Sequence, residues 1–207
     1  RIGCGAGFSS DRLEPAVDLA CRGELHWLIF ETIGERTMAF GHRDRKLDPK
    51  RGYNPQLGAR MRAVLPHCRR NGTRILTNMG VANVPAAAEL TLAIARDLGL
   101  SGLKIAAVEG DDVSALIGPD TVLYDNGGKR VGEIGRAVVG ANAYLGIDAI
   151  LPAIEAGADV ILAGRVADPS LFLAPAAHAF GWRQDDWVAL GRGTLVGHLM
   201  ECGMQVT

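Results

Sequence analysis

The sequence has no Cys-x-x-Cys pair, no nucleophile elbow Gly-x-Ser-x-Gly, and no excess of charge of either sign. It also has no apolar run near the ~20 residues that a membrane helix needs. Each absence excludes something. The four cysteines, Cys4, Cys21, Cys68 and Cys202, stand far apart, and none has histidines at zinc-finger spacing. Neither a disulfide framework nor a metal site is expected, and reduced thiols suit a cytoplasmic protein. No signal peptide is visible. Lys and Arg number 22 against 23 Asp and Glu, a net charge of −1. That balance offers no field to gather nucleic acid or an anionic membrane. The local cluster GHRDRKLDPKR at 41–51 is interrupted by acids and reads as a solvated loop.

What is present is apolar. Hydrophobic residues make up 48% of 207, enough for a packed core. The chain reads as a single α/β domain over 1–207. Because it opens on Arg1 and closes on MQVT, which looks like the start of a strand, it is expected to be the N-terminal part of a longer protein. Short apolar runs alternate with longer amphipathic ones. Strands are predicted at 1–5, 26–31, 73–78, 103–108, 136–142 and 159–163, most of them apolar on both faces, as a parallel sheet covered by helices on both sides requires. Helices are predicted at 12–22, 35–45, 55–71, 84–98, 147–156, 169–179 and 187–202. Asn83 should cap the helix from Val84, Gly72 and Gly99 should end helices in the left-handed conformation, and Asp168-Pro169 should start one. Asn126-Gly127 resembles a hairpin turn. An open doubly wound sheet is favoured; the alternative is part of a (β/α) barrel.

In either architecture the strand C-termini share one rim, where α/β proteins place ligands. Polar groups follow every predicted strand: Ser9, Ser10, Asp11 and Arg12; Glu31 and Thr32; Asn78; Glu109, Asp111 and Asp112; Asn142 and Tyr144; Arg165 and Asp168. Taken singly, Asp111, Asp112 and Asp168 could only cap helices, and Asn142 could only satisfy a loop. Taken together they describe a functional rim.

The opening stretch IGCGAGFSSDRLEP, 2–15, carries Gly3, Gly5 and Gly7. It matches Gly-x-Gly-x-x-Gly only in part, because Phe8 stands where a small residue is needed, although Glu31 lies where the ribose-binding acid would fall. No Gly-Lys-Ser/Thr follows, so a P-loop is excluded. The stretch is either a place where backbone approaches an anion at a helix start or a tight turn needing positive φ. Arg165 directly follows a buried strand, as suits a carboxylate or phosphate; an Arg165–Asp168 pair shaping the loop is the alternative. His198, Glu201 and Cys202 share one helical turn, but a third metal ligand is not evident. Lys104 would suit Schiff-base chemistry, though a lysine at a strand start is usually solvated.

Several segments in collinear order resemble one family: RIGCGAGFSSDRLEPAVDLA, GELHWLIFETIGERTMA, LTNMGVANVPAAA, GANAYLGIDAIL, GADVILAGRVADPSLFLAPAAHAFGW and GTLVGHLMECGMQVT. They are similar to the acyclic terpene utilisation family of AtuA type, formerly a domain of unknown function. The resemblance implies a place in the bacterial degradation of citronellol and geraniol through acyl-CoA intermediates. It supplies no catalytic residues, so the site rests on the rim itself.

The expected function is acid/base chemistry on an acyl-CoA or small branched carboxylate, of lyase, hydratase or isomerase type. Glu31, Asp111 and Asp168 would move protons. Gly5, Gly7, Ser9, Ser10, Arg12 and Arg165 would hold phosphate or carboxylate. Asn78 and Asn142 would donate hydrogen bonds to the substrate oxygen. The expected partner is a small-molecule substrate such as an acyl-CoA rather than nucleic acid or membrane, association into a homo-oligomer is expected, and the sequence does not specify a cofactor. A non-catalytic binding or scaffold subunit is the alternative, and a nucleotide-dependent oxidoreductase the third reading.

Overall fold

A computed structural model describes residues 1–134 and 138–201. In chain order its elements are β1 (Ile2–Ala6), α1 (Glu14–Arg22), β2 (Trp27–Phe30), α2 (Glu35–Leu47), α3 (Leu57–Asn71), β3 (Arg74–Thr77) and α4 (Val84–Asp97). There follow β4 (Ile105–Val108), β5 (Val122–Leu123), β6 (Lys129–Arg130), α5 (Ile147–Glu155), β7 (Val160–Ala163), α6 (Ser170–Phe180) and α7 (Trp187–Glu201). Five strands form one sheet in the order β1-β2-β3-β7-β4, and every pair is parallel.

The central strands β2 and β7 are buried along their whole length, WLIF and VILA, because helices cover both faces. On one face Leu28, Phe30, Ile75 and Leu162 meet Ala16 of α1, Met61 of α3 and Ile94 of α4. On the other Ile29, Leu76, Ile161 and Ala163 meet Ile150 of α5 and Phe172 of α6. Helix α2 belongs to neither layer. Met38 packs with Ile33, Val81 and Ala82, so α2 lies across the C-terminal ends of the strands. The sequence 41–51 is therefore not a solvated loop: 41–47 completes α2, and Gly41 and His42 are buried.

Local chemistry explains most boundaries. Asn83 Oδ1 accepts the Ala86 N–H, with Pro85 in the first turn of α4. Gly72 closes α3 at φ +69°. Asp168 is no helix cap; its carboxylate turns to Arg165, and α6 starts without a side-chain cap. The Asn126-Gly127 turn does sit between paired strands β5 and β6, but in a longer connection with Gly127 and Gly128 both left-handed.

The described part of the strand expected at 136–142, residues 138–142, is not in the sheet. Residues 136 and 137 lie outside the described residues. Residues 138–141 belong to no strand, and Asn142 makes only an isolated antiparallel bridge to Asp112. The apolar pair Val138-Val139 suggested a strand, yet both are about 40% exposed and Val139 forms part of a cavity wall. Cys202 and the stretch 204–207 also lie outside the described residues.

The sheet order creates a crevice. β3 and β7 are neighbours, but α4 leaves β3 on one face and α6 leaves β7 on the other. In parallel α/β sheets ligands bind beside such a reversal. The two strand ends are close: Gly80 N–H donates to Ala163 O at 3.1 Å, and a Cβ on Gly80 would lie 2.6 Å from that oxygen.

Candidate functional site

The opening glycines within β1, Gly3 and Gly5, are explained by packing. Neither Gly3, Gly5 nor Gly7 has positive φ. Gly5 falls at an irregularity in the β1–β2 ladder, and a Cβ there would come within 2.7 Å of the Phe30 ring and 3.1 Å of Leu28. The tight-turn expectation is thus replaced by close strand contact. Gly5→Ala should shift Phe30, cost about 1–3 kcal/mol, and lower the melting temperature by about 2–12 °C; an unchanged melt would show that β1 can yield.

The loop beyond β1 is held from inside. Gly7 N–H donates to Asp11 Oδ2 at 2.8 Å, so the acid occupies an amide that a phosphate would need. Arg60 of α3, 1% exposed, donates from Nη2 to Asp11 O and to Gln56 Oε1, and its guanidinium lies 5.6 Å from the Phe30 ring centre. α1 starts only at Glu14, with an acid in its first turn. The arrangement of a dinucleotide site, with pyrophosphate on that helix end, is not built here.

Glu31 stands at the end of β2, 4% exposed. Its Oε1 accepts Asn78 Nδ2 at 2.6 Å and Ile33 N–H at 3.0 Å. Asn78 is fixed in turn, because its Oδ1 accepts the Thr32 N–H at 2.8 Å. Burial raises the Glu31 carboxyl from 4.5 to about 7; the two hydrogen bonds oppose the rise, while the charges of Asp168 and Glu201 add to it. Glu31 lines a cavity of about 440 Å³ together with Gly7, Ser9, Ser10 and Arg36.

A second cavity of about 210 Å³ lies on the other side of the β2–α2 connection, walled by Met38, Ala39, Val139, Tyr144 and Arg165. Arg165, 4% exposed, pairs with Asp168, donates from Nη1 to Ile33 O at 3.4 Å, and lies 4.0 Å from the centre of the Tyr144 ring. Its Nε has no hydrogen-bond partner among the described residues. Tyr144 Oη donates to Glu35 Oε1 at 3.0 Å. That bond, the backbone amide of Glu35 itself and the Arg165 charge hold the Glu35 carboxyl below its ordinary range. Behind this wall Asp111 Oδ2 accepts Arg165 N–H at 2.7 Å and Asn142 Nδ2 at 2.8 Å.

The rim predicted from sequence is thus two adjoining cavities. Glu31, Asn78, Gly7, Ser9 and Ser10 gather at one; Asn142, Arg165, Asp168 and Asp111 gather at the other. Gly5 is walled in behind Phe30, and Arg12 is exposed and lines neither cavity. Lys104 sits at the opposite end of its strand, donating to Ala156 O. His198 pairs with Glu201 at 3.4 Å, and no cluster of three metal-ligating side chains occurs among the described residues. Sequence reasoning missed His42, whose ring Nε2 lies 2.6 Å from Asn142 Oδ1. Its one sequence signal was the Met38–His42 spacing on the buried face of α2.

No helix among the described residues is long and apolar enough to cross a membrane. No curated protein and no solved structure matches the chain. One family model does, over residues 1–207, and its description is acyclic terpene utilisation family protein AtuA.

Proposed function

The chain belongs to the acyclic terpene utilisation family AtuA, and from that premise we propose that it is an acid/base enzyme acting on an acyl-CoA or small branched carboxylate. The observation that carries the reading is Glu31: a buried carboxyl raised to about 7, bonded in place by Asn78, on the wall of an open cavity. A group poised near neutrality can both take and return a proton. Lyase, hydratase and isomerase steps each need such a group beside a donor that steadies an enolate-like oxygen. Ser9 and Ser10 offer hydroxyls and loop amides for the substrate's polar end. The mostly apolar walls, including Phe8, Ile33 and Phe40, suit a branched hydrocarbon chain.

The test is turnover of a panel of isoprenoid acyl-CoAs by the full-length protein, with Asp168→Asn beside it. Asp168 raises the Glu31 carboxyl through its charge. Asp168→Asn should therefore move the lower limb of the pH–rate profile to lower pH. Turnover of none of the panel would count against the reading.

A second reading is a non-catalytic scaffold subunit. It draws on the surface of α7, where Trp187, Val188, Leu195, Val196 and Leu199 are all more than half exposed. Apolar patches of that kind often mark protein contacts. Binding of an acyl-CoA without turnover would favour it.

A further inference from the structure

We propose that His42 is a proton-transfer group of the smaller cavity, with a proton held on Nε2 toward Asn142 and Nδ1 the nitrogen that takes and returns a proton, and that Asn142 and Asp111 are the positioning residues that set this arrangement. The inference rests on the acid/base reading above and extends it to a residue and a cavity that reading does not use.

The argument is one of donors and acceptors. Asp111 Oδ2 receives two N–H groups, from the Arg165 backbone and from Asn142 Nδ2. An ionised carboxylate only accepts. The Asn142 amide therefore fits one way round, with its NH₂ on Asp111 and its oxygen on His42. Amide oxygen carries no proton, so the His42 nitrogen 2.6 Å away, Nε2, must supply one. In a neutral imidazole the other nitrogen then keeps its lone pair. A backbone frame fixes the relay: Val113 N–H donates to Ala141 O at 2.9 Å and Ala143 N–H to Asp111 O at 2.7 Å, on either side of the Asp112–Asn142 bridge. The ring cannot slide, because Gly140 lies against it. A Cβ there would sit 2.4–2.5 Å from Cδ2, Cγ and Nε2.

His42 lines the cavity of about 210 Å³ with Met38, Ala39 and Val139. These apolar neighbours fit the branched tail of an acyl thioester. The charged groups around the ring are Glu35 and Arg165 on the cavity side, Arg45, Lys46 and Asp112 on the outer side, and Asp111 behind Asn142. The step is a proton transfer alone. The C–H bond next to the thioester carbonyl breaks, its electron pair stays on the substrate as an enolate-like anion, and the proton binds Nδ1. The imidazolium rests against Asn142 Oδ1 until the proton returns to carbon.

The experiment combines imidazole ¹⁵N NMR on the full protein with turnover of the acyl-CoA panel. At a pH where His42 is neutral, the Nε2–H tautomer is expected, giving way to a mixture in Asn142→Leu. A dominant Nδ1–H tautomer overturns the proposal whether or not any substrate is found. His42→Gln keeps an N–H toward Asn142, so its melting temperature should stay within about 4 °C of the wild type, while kcat should fall about 10²-fold or more. Asn142→Leu should lower kcat with KM little changed. Full turnover by His42→Gln overturns the role of His42. Absence of turnover by the wild-type protein counts against the acyl-CoA reading instead, and the tautomer then decides the inference.

Discussion

Glu31→Gln is expected to yield a protein that is more stable than the wild type at pH 8 and almost without activity. The carboxyl has a folded-state value of about 7 against an ordinary 4.5. A raised acid is protonated more readily folded than unfolded, so it costs nothing below pH 4.5. Its cost grows as pH climbs from 4.5 to about 7 and is complete above that. At 1.36 kcal/mol per unit the full cost is about 3 kcal/mol. Glutamine copies the neutral form. Its oxygen can still accept from Asn78 Nδ2 and Ile33 N–H, the two donors Glu31 now uses. Paired melts at pH 5 and pH 8 should show the wild type losing stability across that interval and the variant losing less. If both change equally, Glu31 titrates as an ordinary surface acid and the candidate site loses its central group. The same substitution removes the proton, so turnover should drop by about 10²–10⁴. Gain in stability with loss of activity is what a strained functional group predicts.

Arg165→Ala is expected to be the most damaging single change at the strand ends. The guanidinium is buried, paired with Asp168, bonded to Ile33 O and covered by Tyr144. Removing one partner of such a pair strands the other. Asp168 is partly open to water, so the cost should be near 3 kcal/mol, or a fall of about 6–12 °C in melting temperature. Lysine should not restore it, since a point charge cannot span Asp168 and Ile33 O together. Asp168→Asn in the Arg165→Ala background should recover part of the loss, which a double-mutant cycle by denaturant melts would measure. Strict additivity would mean that the two side chains do not act as a pair. The single variant should also raise the Glu31 carboxyl further, because Asp168 would then face it uncompensated.

The five sheet strands were legible because each is a short, largely apolar run between helices of clear period, with β2 and β7 buried on both faces. The described part of the strand expected at 136–142 failed for the same reason: Val138-Val139 satisfies the apolar rule, and only tertiary packing shows that Val139 walls a cavity. The strand-end acids and amides could be read from topology, since a parallel sheet must bring them to one edge. Their division into two cavities could not, because α2 lies across the edge and nothing in its polar composition announces that. His42 was hidden in a stretch of charges. The glycines of β1 looked like a ligand motif, and their cause is close packing, Gly5 against Phe30 and Leu28 of the neighbouring strand and Gly3 against Leu25.

Among the described residues, the long excursion between β4 and α5 adds no strand to the parallel sheet and is tied to the frame by Asp111 with Arg165 N–H, Asn142 with His42, Tyr144 with Glu35 and Leu145 with Val166. Yet it supplies Val139, Gly140, Asn142 and Tyr144 to the smaller cavity. Specificity and scaffold are therefore separable in this molecule. The stretches between those ties could be rewritten to admit a differently shaped tail while the layered core beneath them stays intact.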